Sequence, residues 1–292
     1  MNDTIPAGEL PGEVPGLPLP LSGETRLYAI IGDPVAQVGS PAAFNAAFRR
    51  LGAKAVLFPV HVAAEDLPDL LIGFRAIRNL DGIVVTVPHK FDVFRLCATT
   101  TERAQFLGAV NVLRRKDDGS WHGDHADGVG FVEGIRTAGC RPEGRRALLA
   151  GAGGAGSAIA LALLEAGVVE LAIHDEDPKR REALIERLRN RYGNRVSAGS
   201  ADPQGFGVVV NATTSGMREG DPLPVDATRL DSDAFVGDVI TVPAVTPLIA
   251  AARARGCGTQ IGTGMFAAVC EHIVDFLLAA GPLAAGPPAT GA

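Results

Sequence analysis

From Arg26 onward, short apolar runs alternate with stretches whose apolar residues recur every three or four positions. The runs "RLYAIIGD", "AVLFPVHV" and "DGIVVTVP" read as strands. "SPAAFNAAFRRLG" between the first two reads as a helix, with Ser40 as N-cap, Pro41 at the first helical position and Gly52 at its end. "AEDLPDLLIGFRAI" reads as the next helix. This alternation predicts a parallel sheet with helices on both faces. "NVLRRKDDGSWHGDHAD" reads as a hairpin turning at Asp118 and Gly119. A helix from about Asp127 to Ala138 then leads to the polar break "EGRR".

A second β/α run begins with "ALLAGAGGAGSAIALALLEAG": an apolar strand, a glycine turn and an alanine-rich helix. Strands "VVELAIHD", "GVVVNAT" and "AFVGDVI" follow with helices between them, the pattern of a nucleotide-binding half and its continuation. The last helix, "GMFAAVCEHIVDFLLAA", carries Phe266, Val269, Ile273 and Phe276 at helical spacing and is expected to pack back onto the first domain. The expected organisation is an N-terminal α/β substrate domain (24–126 plus 263–281), a Rossmann-type dinucleotide-binding domain (127–262) and a cleft between them. Residues 1–23 and 282–292 are expected to be flexible tails, rich in Pro, Gly and Ala.

Composition narrows the classes. The 292 residues are 47% hydrophobic and 21% charged, enough for about two cored domains. A net charge of -6 argues against a nucleic-acid groove, and the one basic run, "RLRNRYGNR", reads as the solvated end of a helix. The four cysteines form no C-x-x-C pair, so reduced thiols are expected. The N-terminus lacks a basic start and apolar core, and no apolar run reaches about 18 residues, so a cytoplasmic protein without a membrane span is expected. Its partner would be a small molecule, its state monomer or homodimer.

"GAGGAG" fits G-x-G-x-x-G between a strand and a helix. Gly151 would make the turn, Gly153 would let backbone approach a pyrophosphate and Gly156 would bring helix close to strand, with Gly154 and Ala155 completing the loop. Asp175, at the end of "VVELAIHD", stands where a carboxylate accepts the ribose hydroxyls of NAD and repels the 2′-phosphate of NADP. Lys179, Arg180 and Arg181 keep NADP open as the alternative. "NATTSGM" lies at a strand's carboxyl edge, which makes Asn211, Ala212, Thr213, Gly216 and Met217 candidates for the nicotinamide end, although a plain glycine turn reads the same. Val239 and Gly262 complete the candidate cofactor set.

"GIVVTVPHK" ends a buried strand on Pro88 and sets Lys90 at its mouth. Lys90 is either a solvated residue opening a helix or a lysine held at a cleft to move a proton. His89 beside it reads as a surface residue. "HGDHAD" crowds His122, Asp124, His125 and Asp127, but on a strand 122 and 124 share one face and 125 and 127 the other, so no metal site is expected. Asn111 alone would read as a turn residue.

Taken in order, "IGDPVAQVGSPAAFN", "VVTVPHK", "GAVNVL", "GDHADGVG", "GAGGAG", "NATTSGM" and "TVPAVTPL" resemble the shikimate dehydrogenase family from about Tyr28 to Phe276. The resemblance implies an NAD(P)-dependent oxidation of a CH–OH group, of the shikimate to 3-dehydroshikimate type, with Lys90 and Asp127 as the proton-transfer pair. Asp127 would orient the ammonium and the hydroxyl or relay the proton. It also implies that Ser40, Thr86 and Asn111 contact substrate. Four positions depart from the family: Val38 for a serine, Val84 for an asparagine, Thr241 for a tyrosine and Val269 for a glutamine. Valine neither donates nor accepts a hydrogen bond, and each unpaired substrate group costs roughly 1–3 kcal/mol. The expectation is an NAD-preferring enzyme with intact hydride and proton chemistry and a less polar or differently substituted cyclic substrate. The alternatives are ordinary shikimate or quinate turnover, or a non-catalytic NAD sensor.

Overall fold

Runs of Val, Ile and Leu form the strands, and most of them are buried on both faces. In the computed structural model, which describes residues 21–36 and 38–283, every residue of Leu80–Val85 is buried. The expected tails therefore lie almost wholly outside the described residues. The first half contains β1 (Arg26–Gly32), α1 (Ser40–Arg50), β2 (Ala55–His61), α2 (Leu67–Ala76), β3 (Leu80–Val85), α3 (Lys90–Arg95), β4 (Thr99–Thr100), α4 (Glu102–Leu107), β5 (Val112–Arg115) and β6 (Trp121–Asp124). Its sheet has the order β2-β1-β3-β5-β6-β4. The β/α units give the parallel pairs β1–β2 and β1–β3, whereas the hairpin extends the sheet with β5 antiparallel to β3 and to β6. The sheet is thus mixed rather than parallel throughout.

The second half contains α5 (Asp127–Thr137), β7 (Arg146–Ala150), α6 (Gly154–Glu165), β8 (Glu170–His174), α7 (Pro178–Tyr192), β9 (Val196–Ala198), β10 (Val208–Asn211), β11 (Phe235–Asp238), α8 (Pro247–Ala254), β12 (Gly258–Gln260) and α9 (Gly262–Leu278). All its strand pairs are parallel, in the order β12-β11-β10-β7-β8-β9. This is the doubly wound arrangement, and its topological switch lies between β7 and β10, where ligands bind at the strands' carboxyl ends.

Several local expectations are corrected. Gly39, not Ser40, caps α1; Ser40 is the first helical residue, and Pro41 sits in the first turn, where its missing N–H leaves no bond unmade. The basic run closing α7 is not merely solvated. Arg189 donates to the Val196 carbonyl, and Arg195 donates to the carbonyls of Leu164 and Val168 at the end of α6, where cations complement the helix dipole. In α9 the buried stripe is Met265, Val269, Cys270, Ile273, Val274 and Leu277, with Phe266 and Phe276 at its margin.

Helix α5 packs against both α6 and α9. Its glycines allow this. A Cβ on Gly128 would lie 2.1 Å from the Ala158 carbonyl oxygen on α6, and one on Gly130 would lie 2.4 Å from Val269 Cγ2 on α9.

Candidate active site

The turn Thr86–His89 follows β3, and α3 opens with Lys90, whose Nζ donates to Asp127 Oδ2 at 2.6 Å. Asp127 is the first residue of α5, reached directly from the end of β6 through His125 and Ala126. Both side chains are largely enclosed, 24% exposed for Lys90 and 15% for Asp127. Asn111, just before β5, donates from Nδ2 to Asp127 Oδ1 at 2.7 Å and accepts the Ala126 N–H on Oδ1 at 2.8 Å. Its amide is thus engaged in orienting Asp127 and in fixing the entry to α5. Burial raises the Asp127 carboxyl, but the Lys90 ammonium, His125 and the hydrogen bonds from Lys90 and Asn111 outweigh it and hold the group at about 2. The carboxylate is ionised at neutral pH.

His125 and Asp127 lie beyond the strand, because β6 ends at Asp124. The four side chains of "HGDHAD" therefore point to different tasks. Asp124 is fully buried and takes a two-pronged contact from Arg103, at 2.7 and 2.6 Å, and a hydrogen bond from Thr101 at 2.5 Å. His122 shares a 2.9 Å contact with Thr99 Oγ1. Among the described residues, no group of three His, Cys, Asp or Glu is arranged to hold a metal ion. His89 is not a surface residue: it is fully buried, and its Nε2 donates to the Val62 carbonyl at 2.9 Å beneath the Pro88 turn.

The glycine loop faces the pair across a cavity of about 680 Å³. One wall carries Pro88, Lys90, Phe91, His125 and Asp127; the other carries Ala152, Gly153, Gly154, Ala155, Ser157 and Arg180. A second cavity of about 450 Å³ shares Gly153 and Arg180 with the first and extends over Asp175, Glu176, Ala212 and Thr213. Gly151 has φ +103°, and a Cβ on Gly156 would lie 1.9 Å from the Gly151 carbonyl oxygen, so the turn and the close helix approach both need glycine. A Cβ on Gly153 or Gly154 would meet nothing within 4 Å. Their open side is a cradle into which a dinucleotide's pyrophosphate fits at the start of α6. Asp175 is buried, and its oxygens accept the N–H groups of Ala152 (2.6 Å) and Asp177 (2.8 Å) and the Arg180 guanidinium (2.8 Å). Burial raises this carboxyl, but the Arg180 bond and the backbone donors lower it further below its ordinary value.

Three expected cofactor candidates lie outside the linings of these two cavities. Asn211 is fully buried rather than open to the cleft. Its Nδ2 donates to the Ser215 carbonyl and to Asp238, and its Oδ1 accepts from Thr213, so it shapes the loop that follows β10. Gly262 is likewise buried, and a Cβ there would lie 2.2 Å from the Ile240 carbonyl oxygen, so its smallness serves packing. Val239 is half-buried, and its N–H donates to the Asn211 carbonyl. Gly216, at φ +107°, turns the loop and leaves Met217 half-exposed.

Of the substrate candidates, Val84 and Val269 belong to one buried apolar cluster and Val38 packs against it. Ser40 is buried and Thr86 half-buried, whereas Thr241 is exposed on the loop after β11. The sequence places Arg180 near the cofactor as part of the NADP alternative, but sequence reasoning missed Arg187 and Ser157 as cavity walls and gave His125 no place beside the pair. The i, i+7 spacing of Arg180 and Arg187, which puts them on one face of a helix, was the available signal for the arginines.

Comparison with known proteins agrees with this geometry. Residues 30–113 match the shikimate dehydrogenase substrate binding domain. A shikimate dehydrogenase (NADP(+)) of Rubrobacter xylanophilus is 43% identical over 253 residues, 83% of this chain and 87% of the relative. The crystal structure of a Listeria monocytogenes shikimate 5-dehydrogenase in complex with shikimate and NAD superposes with a TM-score of 0.83 at 28% identity, covering 91% of this chain and 96% of that one. A Gluconobacter 5-ketofructose reductase gives 0.82 at 28% identity, covering 89% and 95%. Sequence, fold and a glycine-loop cleft holding a lysine–aspartate pair thus converge: the chain belongs to the shikimate dehydrogenase family, and it is an NAD(P)-dependent oxidoreductase acting on a CH–OH group.

Proposed function

We propose that the protein interconverts a secondary alcohol and its ketone on a small ring compound less polar than shikimate, with NAD as the preferred cofactor. The observation that carries the reading is the 2.6 Å Lys90–Asp127 pair opening on the same cavity as Gly153 and Gly154. When bound, the nicotinamide supplies the hydride acceptor or donor. Lys90 holds the reacting oxygen and takes or gives its proton, and Asp127, kept ionised and fixed by Asn111, sets the direction of the Lys90 amine. Gly153 and Gly154 leave room for the pyrophosphate.

Two features support a shifted substrate. Val84 and Val269 are buried in apolar surroundings and Val38 packs against apolar neighbours, so the polar grips that the resemblance implies at these positions are missing. Of the cations lining the larger cavity, Lys90 is already paired with Asp127 and Arg180 with Asp175, which leaves a substrate carboxylate Arg187 on α7 as its charge partner. The likeness to a 5-ketofructose reductase adds that this fold accommodates other substrates. NAD is supported by the surroundings of the adenosine-side cavity. Arg180 is paired with Asp175, and Asp177 fills the N-terminus of α7 by accepting the N–H groups of Lys179 and Arg180, which leaves that terminus closed to a 2′-phosphate.

A second reading, NADP-dependent shikimate turnover, is favoured by the Rubrobacter relative. Assay of shikimate, quinate and uncharged cyclic or keto sugars with both cofactors separates the two. The proposal expects NAD to exceed NADP at least about tenfold in kcat/KM and shikimate to be poor; shikimate turnover with NADP above about 10⁴ M⁻¹s⁻¹ would overturn it.

A further inference from the structure

His125 lies beside the proton-transfer pair without a partner of its own. Its side chain is 2% exposed, its Nε2 is 3.8 Å from Asp127 Oδ2, the oxygen that also receives Lys90, and its Nδ1 is buried with no hydrogen bond. A buried imidazole nitrogen without a partner calls for an explanation, since such groups are nearly always paired. The ring borders two spaces. One is the large cleft cavity; the other is a small pocket of about 10 Å³, lined also by Arg103, Glu165 and the apolar Leu107, Val129, Ala158 and Leu161. The pocket is at the lower bound of the roughly 10–15 Å³ that a single water requires, and Glu165 in its lining is exposed to solvent.

The geometry points to His125 as a positioning residue that carries protons between the Lys90–Asp127 pair and solvent, through the small pocket beside Glu165. This rests on the oxidoreductase reading above. Substrate and cofactor would close the front of the cleft, and Lys90 needs an unprotonated amine to take a hydroxyl proton. The relay supplies it: one N–H bond of the Lys90 ammonium breaks, a proton passes by way of Asp127 Oδ2 to Nε2 of His125 in its Nδ1–H form, and the Nδ1 proton leaves to water; a ring flip then restores the accepting nitrogen for the next turnover. The amine then takes the substrate's hydroxyl proton as the C=O bond forms; in reduction each transfer runs backwards. No electrons move in the relay, and each proton gained is matched by one released. The 3.8 Å gap suits a contact that shortens when the site is filled. The charged groups facing the ring are Asp127 from α5, Lys90 from α3, Asp124 from β6, Arg103 from α4 and Glu165 from α6.

The first test needs no substrate. Nitrogen-detected spectra of the histidine rings in the full-length protein should show the His125 N–H exchanging with solvent at least about tenfold faster than that of His89, which is equally buried but tied to the Val62 carbonyl. Exchange as slow as that of His89 would overturn the relay. The second test uses His125→Asn and His125→Phe, with folding checked by circular dichroism. The relay expects kcat to fall at least about tenfold, KM and the cofactor Kd to change less than about twofold, and added imidazole to restore turnover in part. A kcat–pH profile superimposable on that of the unmodified protein would overturn it. If the unmodified protein turns over none of the substrates, it is the oxidoreductase reading that fails, and the exchange rates alone decide the relay.

Discussion

Lys90 and Asp127 meet at 2.6 Å although 37 residues separate them, because α3 and α5 start at the same edge of the first sheet. Lys90→Ala and Asp127→Asn are each expected to lower kcat by about 10²–10⁴-fold while leaving the cofactor Kd within about twofold. Steady-state kinetics together with calorimetric titration of the cofactor check this.

His125 gives the fold a pH dependence. Burial is the main cause that lowers its imidazole to about 4 from 6.5, so between these values the unfolded chain binds more protons than the folded one. The stability it contributes is complete above about pH 6.5 and is lost as pH falls through 4, a loss on the order of 3 kcal/mol. Asp127, held at about 2 against 3.8, adds a loss only below about pH 4. Urea unfolding at pH 7 and pH 5 should show the first decline, and His125→Asn should flatten it.

The loop glycines separate packing from binding. Gly156→Ala forces a methyl against the Gly151 carbonyl and should cost roughly 1–3 kcal/mol of stability, read as a lower Tm. Gly153→Ala meets nothing within 4 Å, so Tm should hold while dinucleotide affinity falls at least about tenfold.

Val84→Asn restores the polar group that the family resemblance places at this position. It is expected to raise kcat/KM for shikimate at least about tenfold and, because Val84 is 5% exposed, to lower the stability of the substrate-free protein by roughly 1–3 kcal/mol. Unchanged shikimate kinetics would contradict the view that valine at this position weakens shikimate binding.

What the sequence shows plainly is what local chemistry dictates. The apolar runs became strands, the glycine loop sits between β7 and α6, and Lys90 lies just past a buried strand. What it hides depends on distant neighbours. Asn111 looks like any turn asparagine until Asp127 arrives from another element, and His89 looks exposed until Val62 covers it. Asn211 reads as a ligand contact, and only the register of β10 and β11 reveals that it also stands opposite Asp238 and donates to it. Strands as short as β4 and β9 carry too few residues for a periodic signal.

Helix α5 has its glycines against α6 on one side and α9 on the other, and Asp127 is its first residue. A swing of the second sheet relative to the first would turn about this helix as about an axle. Residues near an axle move least. Asp127, tied by Asn111 and Lys90 to the first sheet, would keep its 2.6 Å contact while the glycine loop travels. Were the cleft to open in this way, the Lys90–Asp127 contact would need no rebuilding on closure.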